Sequence, residues 1–207
     1  SLKWDASISA RPTAQDMQAT RVQLGLTDTS PVIVAGSTHR GEEETILKAF
    51  QALRVSHPAV RLVIAPRHLE RLEEVEAIVR TSGLMPKRVS ISTLKQPSEV
   101  GLVDTFGQMP RYYGVATIVF IGGSLIPHGG QNPLEAASLG KPIIFGPSMH
   151  NFEAIVHQLL AHHAARQVAG ADELTTLFQE LLANPTQAQE MGKPAQELTA
   201  RVQGAPQ

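Results

Sequence analysis

Short, almost continuous apolar runs alternate along this chain with longer segments of helical periodicity. The clearest strand predictions fall on residues 31–35, 60–65, 117–121 and 142–145. Shorter strands are predicted at residues 89–92, at residues 101–103 and near Gln167 and Val168. Strands that are apolar throughout are buried on both faces, and their alternation with helices is typical of a parallel sheet. The sequence therefore predicts an α/β fold, a doubly wound parallel sheet with helices on both faces.

Helical periodicity accounts for most of the chain between these strands. Helices are predicted at residues 11–24, 46–53, 69–79, 109–113, 133–139, 152–160, 172–182 and 186–202. No repeat, low-complexity tract or linker interrupts the pattern, so one domain is the simplest interpretation. Ser1 stands where a Met would open a complete chain. We therefore expect the sequence to be part of a longer protein.

Composition excludes several classes of function. Lys plus Arg is 18 and Asp plus Glu is 19, which gives a net charge of −1 and argues against a nucleic-acid-binding surface. The absence of Cys excludes disulfides, thiolate nucleophiles and Cys-based zinc sites. Without an apolar run of about 20 residues or a signal peptide, we expect a soluble, cytoplasmic globular protein.

A doubly wound sheet binds its ligands at the carboxyl ends of its strands. The loops at that edge are predicted at residues 36–41, 66–68, 104–109, 122–132 and 146–151. Four histidines, His39, His68, His128 and His150, fall in these loops, but their spacing matches no metal-binding motif. We therefore predict no metal site.

The loop after the strand at 117–121 contains two glycine pairs and leads into a helix. Glycine lets a ligand approach the backbone, and a helix N-terminus suits a phosphate. Asn132, Pro133 and Glu135 also fit a capping box, in which Glu135 would bind the backbone N–H of Asn132. From these residues alone, Glu135 is as consistent with helix capping as with binding a ribose. Neither a P-loop nor a G-x-S-x-G pattern is present.

The loop after the first strand also allows two interpretations. Ser37 or Thr38 caps the following helix, or both join His39 in holding a phosphate or a carboxylate. The three consecutive glutamates at 42–44 are predicted to form a solvated helix N-terminus.

Two further loops carry groups suited to a nucleotide. Arg67 follows the second strand, where a guanidinium either pairs with a phosphate or carboxylate or forms a surface ion pair. The loop at Gly107 also allows two interpretations: Gly107 lets the backbone come close enough to read a nucleobase, or the loop is an ordinary one whose Met109 and Tyr113 pack into the core.

Taken together, the loop motifs resemble one family. In chain order they read S-L-K-x-D, A-G-S-T-H-x-G-E-E, P-R-H, D-T-x-G-x-M, F-I-G-G-S-L-x-x-x-G-G-x-N-P-L-E-A and G-P-x-x-x-N-F. This order is similar to that of the C-terminal, nucleotide-binding domain of the bacterial 3-deoxy-D-manno-octulosonic acid (Kdo) transferases. The resemblance implies an inverting glycosyltransferase of the GT-B architecture, in which two Rossmann-like domains face each other across a cleft.

The resemblance also implies a substrate and a location. Family members transfer Kdo from CMP-Kdo to a lipid A precursor during lipopolysaccharide biosynthesis, at the cytoplasmic face of the inner membrane, and CMP-Kdo is a substrate rather than a cofactor. The implied domains are an inter-domain segment and lead-in helix at 1–24 and a Rossmann-like donor-binding domain at 25–170. Helices at 171–207 would either stay on that domain or cross to the N-terminal one.

The resemblance assigns the CMP pocket to three loops. Their residues are Pro66, Arg67, Gly107, Gln108, Met109, Asn132, Pro133, Leu134 and Glu135. Arg67 and the helix end at Asn132 would bind phosphate or carboxylate, the Gly107 loop would read cytosine, and Glu135 would bind the ribose hydroxyls. The donor side would be completed by Ser37, Thr38, His39, Gly123 and Ser124.

The chain departs from the family pattern at two positions. Many relatives have Glu where Gln108 stands and His where Gln131 stands, so a catalytic role at position 131 is not expected here. The family's general base is a Glu of the N-terminal domain, so we predict that this chain binds donor nucleotide but does not transfer sugar by itself. Two other hypotheses remain, a GT-B domain for a UDP- or GDP-sugar and a non-catalytic nucleotide-binding module.

Overall fold

The computed structural model describes residues 10–91 and 98–204. The S-L-K-x-D motif and Ser92, the last residue of one predicted strand, lie outside the described residues. The strands are β1 (Val32–Thr38), β2 (Arg61–Pro66), β3 (Pro86–Arg88), β4 (Val100–Leu102), β5 (Ile118–Ile121), β6 (Ile143–Phe145) and β7 (Ala165–Gln167). The α-helices are α1 (Ala14–Gln23), α2 (Glu43–Ser56), α3 (Leu72–Thr81), α4 (Met109–Val115), α5 (Leu134–Ser138), α6 (Glu153–Ala161), α7 (Ala171–Ala183) and α8 (Pro185–Gly204).

The seven strands form one sheet in the order β3-β4-β2-β1-β5-β6-β7, and every neighbouring pair is parallel. From β1 the chain first builds the β2 side of the sheet and then crosses back to start the β5 side. The strand order therefore reverses between β1 and β5, which is where sheets of this kind bind ligands.

Helices cover both faces of this sheet, as the sequence predicts. Successive residues of β1 point to opposite faces, so Ile33 belongs to one apolar core and Val34 to the other. The first core includes side chains of α2, α3 and α7, and the second includes side chains of α4, α5, α6 and α8. The doubly wound parallel α/β fold is confirmed.

The prediction for the outermost strand on the β2 side was wrong in position. The structure places β3 at Pro86–Arg88, paired with β4, whereas the apolar pattern had favoured residues 89–92. Pro86 lacks an N–H, which an edge strand tolerates at its first residue. Ile91, which contributed to the apolar pattern, lies outside β3 and is mostly exposed.

The two C-terminal helices pack on this domain. α7 lies against α2, and α8 lies against α5 and α7. Met191 and Ala195 of α8 are buried, and a Cβ on Gly192 would stand 1.8 Å from the carbonyl oxygen of Gly140, just past the end of α5. α8 is thus held close to the helix that carries Glu135. No helix in the described ranges has the length and apolar character needed to cross a membrane.

The close contact between β1 and the loop after β5 predicts that only glycine fits at position 122. A Cβ on Gly122 would lie 2.1 Å from the carbonyl oxygen of Ser37. Gly122→Ala should therefore lower the free energy of unfolding by about 2 kcal/mol or more. Gly101→Ala is the control, since a Cβ there comes no closer than 3.4 Å to any atom and should change stability by less than about 1 kcal/mol. Equal stability of the two variants in urea unfolding would contradict this packing.

Candidate functional site

The loops that follow β1 and β5 are joined directly at the carboxyl edge of the sheet. The Gly122 N–H donates to the Gly36 carbonyl at 2.7 Å. The N–H groups of Gly130 and Gln131 donate back to the carbonyls of Gly123 and Gly122 at 2.9 and 3.0 Å. The glycine-rich loop therefore leaves β5, folds back on its own first residues and then enters α5.

Glu42 fastens these two loops together. Its side chain is fully buried, and it accepts hydrogen bonds from four backbone N–H groups. One oxygen receives the N–H of His39 at 2.9 Å and that of Gly123 at 2.6 Å. The other receives the N–H groups of Ser124 and Leu125 at 3.1 and 3.0 Å. A carboxylate with four donors is well compensated for its burial.

The predicted solvated glutamate run is therefore wrong for two of its three members. Glu42 and Glu43 are both fully buried, and only Glu44 is exposed. A signal for Glu43 was present in the sequence, since Glu43, Ile46, Leu47 and Phe50 share one helical face. No local signal distinguishes Glu42, because its donors come mainly from a loop about 80 residues further along the chain.

This network fixes the roles of Gly123 and Ser124. Their N–H groups bind Glu42 and so are not free to bind a phosphate. The buried Ser124 hydroxyl donates to the Ile121 carbonyl at 2.6 Å and accepts the Gly146 N–H at 2.8 Å. Through these hydrogen bonds both residues stabilise the conformation of the glycine-rich loop.

Ser37 and Thr38 do not cap α2, contrary to one of the two interpretations. Both lie inside β1, and the N-cap of α2 is Glu42, with no capping hydrogen bond from its side chain. Ser37 has a φ of 56° at an irregularity in the pairing of β1 with β2, a left-handed conformation that is unusual for serine. This turn places Ser37 on the wall of a cavity.

That cavity, of about 180 Å³, lies at the ends of β1, β2 and β4. Its lining includes Ser37, Pro66, Arg67, Phe106, Gly107 and Met109. Five of these six were predicted as nucleotide-binding residues. Arg67 is exposed at the surface, and its backbone N–H donates to the Thr38 carbonyl at 2.9 Å, which fixes the loops after β1 and β2 relative to each other.

The loop between β4 and α4 is held at both ends. Asp104 accepts hydrogen bonds from the N–H and the hydroxyl of Ser90, and Gln108 accepts one from Arg111 at 3.3 Å. Gly107 has a φ of 75°, which glycine adopts without strain. Tyr113 is buried in the core, whereas Met109 is half-buried at its edge.

Around Glu135 the structure corrects the predicted capping box. α5 begins at Leu134 with Pro133 as its N-cap, and the side chain of Asn132 accepts the Leu134 N–H at 2.9 Å. Glu135 is therefore the second helical residue, one position short of the place that a capping box requires. It lines a second cavity, of about 280 Å³, whose wall also includes Pro110 of α4. Met109 lines the first cavity, so consecutive residues at the start of α4 line the two cavities.

Three of the four loop histidines come together. The ring of His39 lies 4.0 Å from that of His128 and 5.8 Å from that of His68, measured between centroids. The Gln131 amide nitrogen is 3.3 Å from a ring nitrogen of both His39 and His128. Burial lowers the pKa of His39, although the carboxylate of Glu42 opposes this. In the parts of the chain that the structure describes, no group of three or more His, Asp or Glu side chains is arranged to hold a metal ion.

A network of ion pairs lies next to the start of α2. Arg71 lies 2.5 Å from a carboxylate oxygen of buried Glu43 and 2.9 Å from one of Glu74, and Glu74 also pairs with Arg40 at 2.7 Å. Burial raises the pKa of Glu43 to about 7, although Arg71 beside it acts in the opposite direction. Arg71 therefore only partly offsets the cost of burying this carboxylate.

Removal of Glu42 should destabilise the chain strongly. Glu42→Ala leaves four backbone N–H groups without their acceptor, so we expect the free energy of unfolding to fall by about 3 kcal/mol or more. Glu44→Ala, two residues further on and exposed, should change it by less than about 0.5 kcal/mol. Urea unfolding of both variants measures the difference, and a loss below about 1 kcal/mol for Glu42→Ala would contradict the role of this carboxylate.

Glu43 should make stability depend on pH. An acid with a higher pKa in the folded chain than in the unfolded chain stabilises the fold below its unfolded pKa, and that contribution is lost as the pH rises. For Glu43 the loss runs from about pH 4.5 to about 7 and amounts to at most about 3 kcal/mol.

Glu43→Gln should remove this loss, so its stability relative to the unmutated chain should increase across that pH range. Urea unfolding at several pH values measures the difference, with exposed Glu44→Gln as the control. A difference that does not vary with pH would show that Glu43 titrates normally.

Comparisons with known proteins relate this chain to one family. No protein-family model matches the chain. The 3-deoxy-D-manno-octulosonic acid transferase of Haemophilus influenzae is 34% identical over 177 residues, covering 84% of this chain and 42% of that protein. The transferase of the same name from Bordetella pertussis is 33% identical over 210 residues, covering 99% of this chain and 48% of that protein. The chain thus spans less than half the length of either relative.

Solved structures agree with the sequence comparison. The C-terminal CMP-Kdo binding domain of WaaA from Acinetobacter baumannii matches with a TM-score of 0.82 and 28% identity, covering 89% of this chain and 96% of that domain. Anabaena Alr3699/HepE in complex with UDP-glucose shares the fold at 16% identity, with a TM-score of 0.68 over 92% of this chain and 49% of that one. The chain belongs to the 3-deoxy-D-manno-octulosonic acid transferase family and has the fold of the C-terminal domain of a GT-B glycosyltransferase.

Proposed function

We propose that this chain binds the CMP part of CMP-Kdo and is the donor half of an enzyme that transfers Kdo to a lipid A precursor. One observation carries the proposal. The cavity at the ends of β1, β2 and β4 is lined by Ser37, Pro66, Arg67, Gly107 and Met109, which come from three separate loops and which the family resemblance assigned to the donor site. The Acinetobacter domain with the same fold is named for binding CMP-Kdo.

In this proposal the phosphate lies next to Arg67. CMP-Kdo carries a phosphate and a carboxylate, and Arg67 brings a cation to the surface beside the cavity. When the bond between Kdo and the phosphate breaks, negative charge increases on the departing CMP. A guanidinium at that position would stabilise this charge and so favour the transfer.

The nucleoside would contact both cavities. The backbone around Gly107, with Gln108 and Met109, would contact cytosine in the first cavity. The carboxylate of Glu135, in the second cavity, would accept hydrogen bonds from the ribose hydroxyls. Asn132, Pro133 and Leu134 would hold the start of α5 so that Glu135 is correctly placed, because Asn132 already binds the Leu134 N–H.

The same proposal assigns supporting roles to the residues near β5. Thr38 and His39 are buried beside the site, and Gly123 and Ser124 bind Glu42, so these four would maintain the shape of the donor side. Residues 25–170 would form the donor-binding domain, with 1–24 leading into it and 171–207 as its C-terminal helices. The general base and the lipid acceptor site would lie in the N-terminal half of the whole enzyme, at the cytoplasmic face of the inner membrane.

Arg67→Ala should weaken CMP binding by at least about tenfold, because a hydrogen-bonded cation beside a phosphate contributes roughly 1.5–3 kcal/mol. Arg61→Ala is the matched control, since Arg61 begins the strand that Arg67 follows and lies at the opposite edge of the sheet. Isothermal titration calorimetry with CMP, UMP and UDP measures the effect. Tighter binding of UMP or UDP than of CMP would indicate a UDP-sugar enzyme instead, and a chain that binds none of the three would contradict the proposal.

A further inference from the structure

Phe106 is an exposed aromatic side chain on the wall of the donor cavity. It is 76% exposed, and it is the one aromatic residue among the large apolar side chains that are exposed in the described ranges. It lies between Thr105 and Gly107, which line the same cavity. In the D-T-x-G-x-M motif it occupies a position that the motif leaves open. The assignment of the pocket by family resemblance therefore did not include it.

Phe106 is exposed on a loop that is anchored on both sides. On one side Asp104 is bound by Ser90, and on the other Gln108 is bound by Arg111 at the start of α4. Because the loop is anchored on both sides of the ring, little conformational entropy is lost when a ligand covers it.

The surroundings of Phe106 favour a flat ring that carries an anion. Val103 and Met109 supply further apolar surface, while Arg67 supplies a cation on the same cavity. A Cβ on Gly107 would have no atom within 4 Å, so the backbone next to the ring faces open space. An inorganic phosphate would leave the apolar surface exposed, whereas a nucleotide covers it with its base and places its phosphate near the cation.

We propose that Phe106 is a base-stacking residue, on which the nucleobase of the donor lies face to face. This inference rests on the proposed CMP site and adds to it the surface that binds the base. Stacking on an aromatic ring uses the π-face that every base has. Phe106 therefore strengthens the binding of CMP and UMP alike, and the choice between them is left to hydrogen bonds from the backbone around Gly107.

The test compares Phe106→Ala with Met85→Ala, a second truncation of an exposed large apolar side chain, which lies next to the edge strand β3 and away from the cavity. Phe106→Ala should weaken CMP and UMP by the same factor, roughly 5- to 100-fold, as expected for one base stacked on an aromatic ring. The affinity for ribose 5-phosphate, which has no base, and the melting temperature should stay unchanged. Met85→Ala should change none of these quantities.

Phe106→Trp tests whether another aromatic ring restores CMP binding, and its fluorescence reports directly on contact with the base. In a Trp4→Phe background, the new indole should bind CMP within about threefold of the unmutated chain. Its fluorescence should change on adding CMP but not on adding ribose 5-phosphate. Unchanged CMP affinity in Phe106→Ala, or an equal loss of CMP and ribose 5-phosphate binding, would overturn the stacking role while leaving the donor site in place. Failure of the unmutated chain to bind CMP would overturn both proposals.

Discussion

The buried carboxylate of Glu42 is the interaction on which the ligand edge of this sheet depends. It binds four backbone N–H groups, one from the loop after β1 and three from the loop after β5. These two loops lie beyond the paired ends of β1 and β5, at the reversal of strand order. A single buried side chain links them there, and its burial is tolerated because every donor is well placed.

This arrangement decides which loops remain available for a ligand. In many Rossmann-like proteins the glycine-rich turn presents its N–H groups to a phosphate. Here the N–H groups of Gly123 and Ser124 are already bound by protein, and Gly122 is needed because β1 and β5 come too close for a Cβ. The cavity lined by Arg67 and the Gly107 loop lies on the other side of β1, and in the proposed function Arg67 binds a phosphate there and this loop contacts a base.

Much of the fold and part of the candidate site could be predicted from the sequence. Continuous apolar strands such as Ile118–Ile121 can be predicted directly from the sequence, because strands that are buried on both faces contain few polar residues. Edge strand β3 was placed too late, since its position depends on pairing with β4 rather than on its own apolar content. Interpretations based on local spacing also failed at two helix starts, where Ser37 and Thr38 stay in β1 instead of capping α2, and where α5 begins at Leu134, one residue later than the capping-box pattern suggests.

The sequence by itself determined the layered α/β architecture and the set of loops at its ligand edge, because periodicity and strand composition are local properties. Only the tertiary structure decided the role of each side chain within those loops. Glu42 and Glu44 look alike in the sequence, yet Glu42 is buried against donors about 80 residues away and Glu44 faces solvent. The roles proposed for Arg67 and Phe106 likewise depend on a cavity that three distant loops form together. Long-range contacts of this kind leave no mark in the sequence nearby.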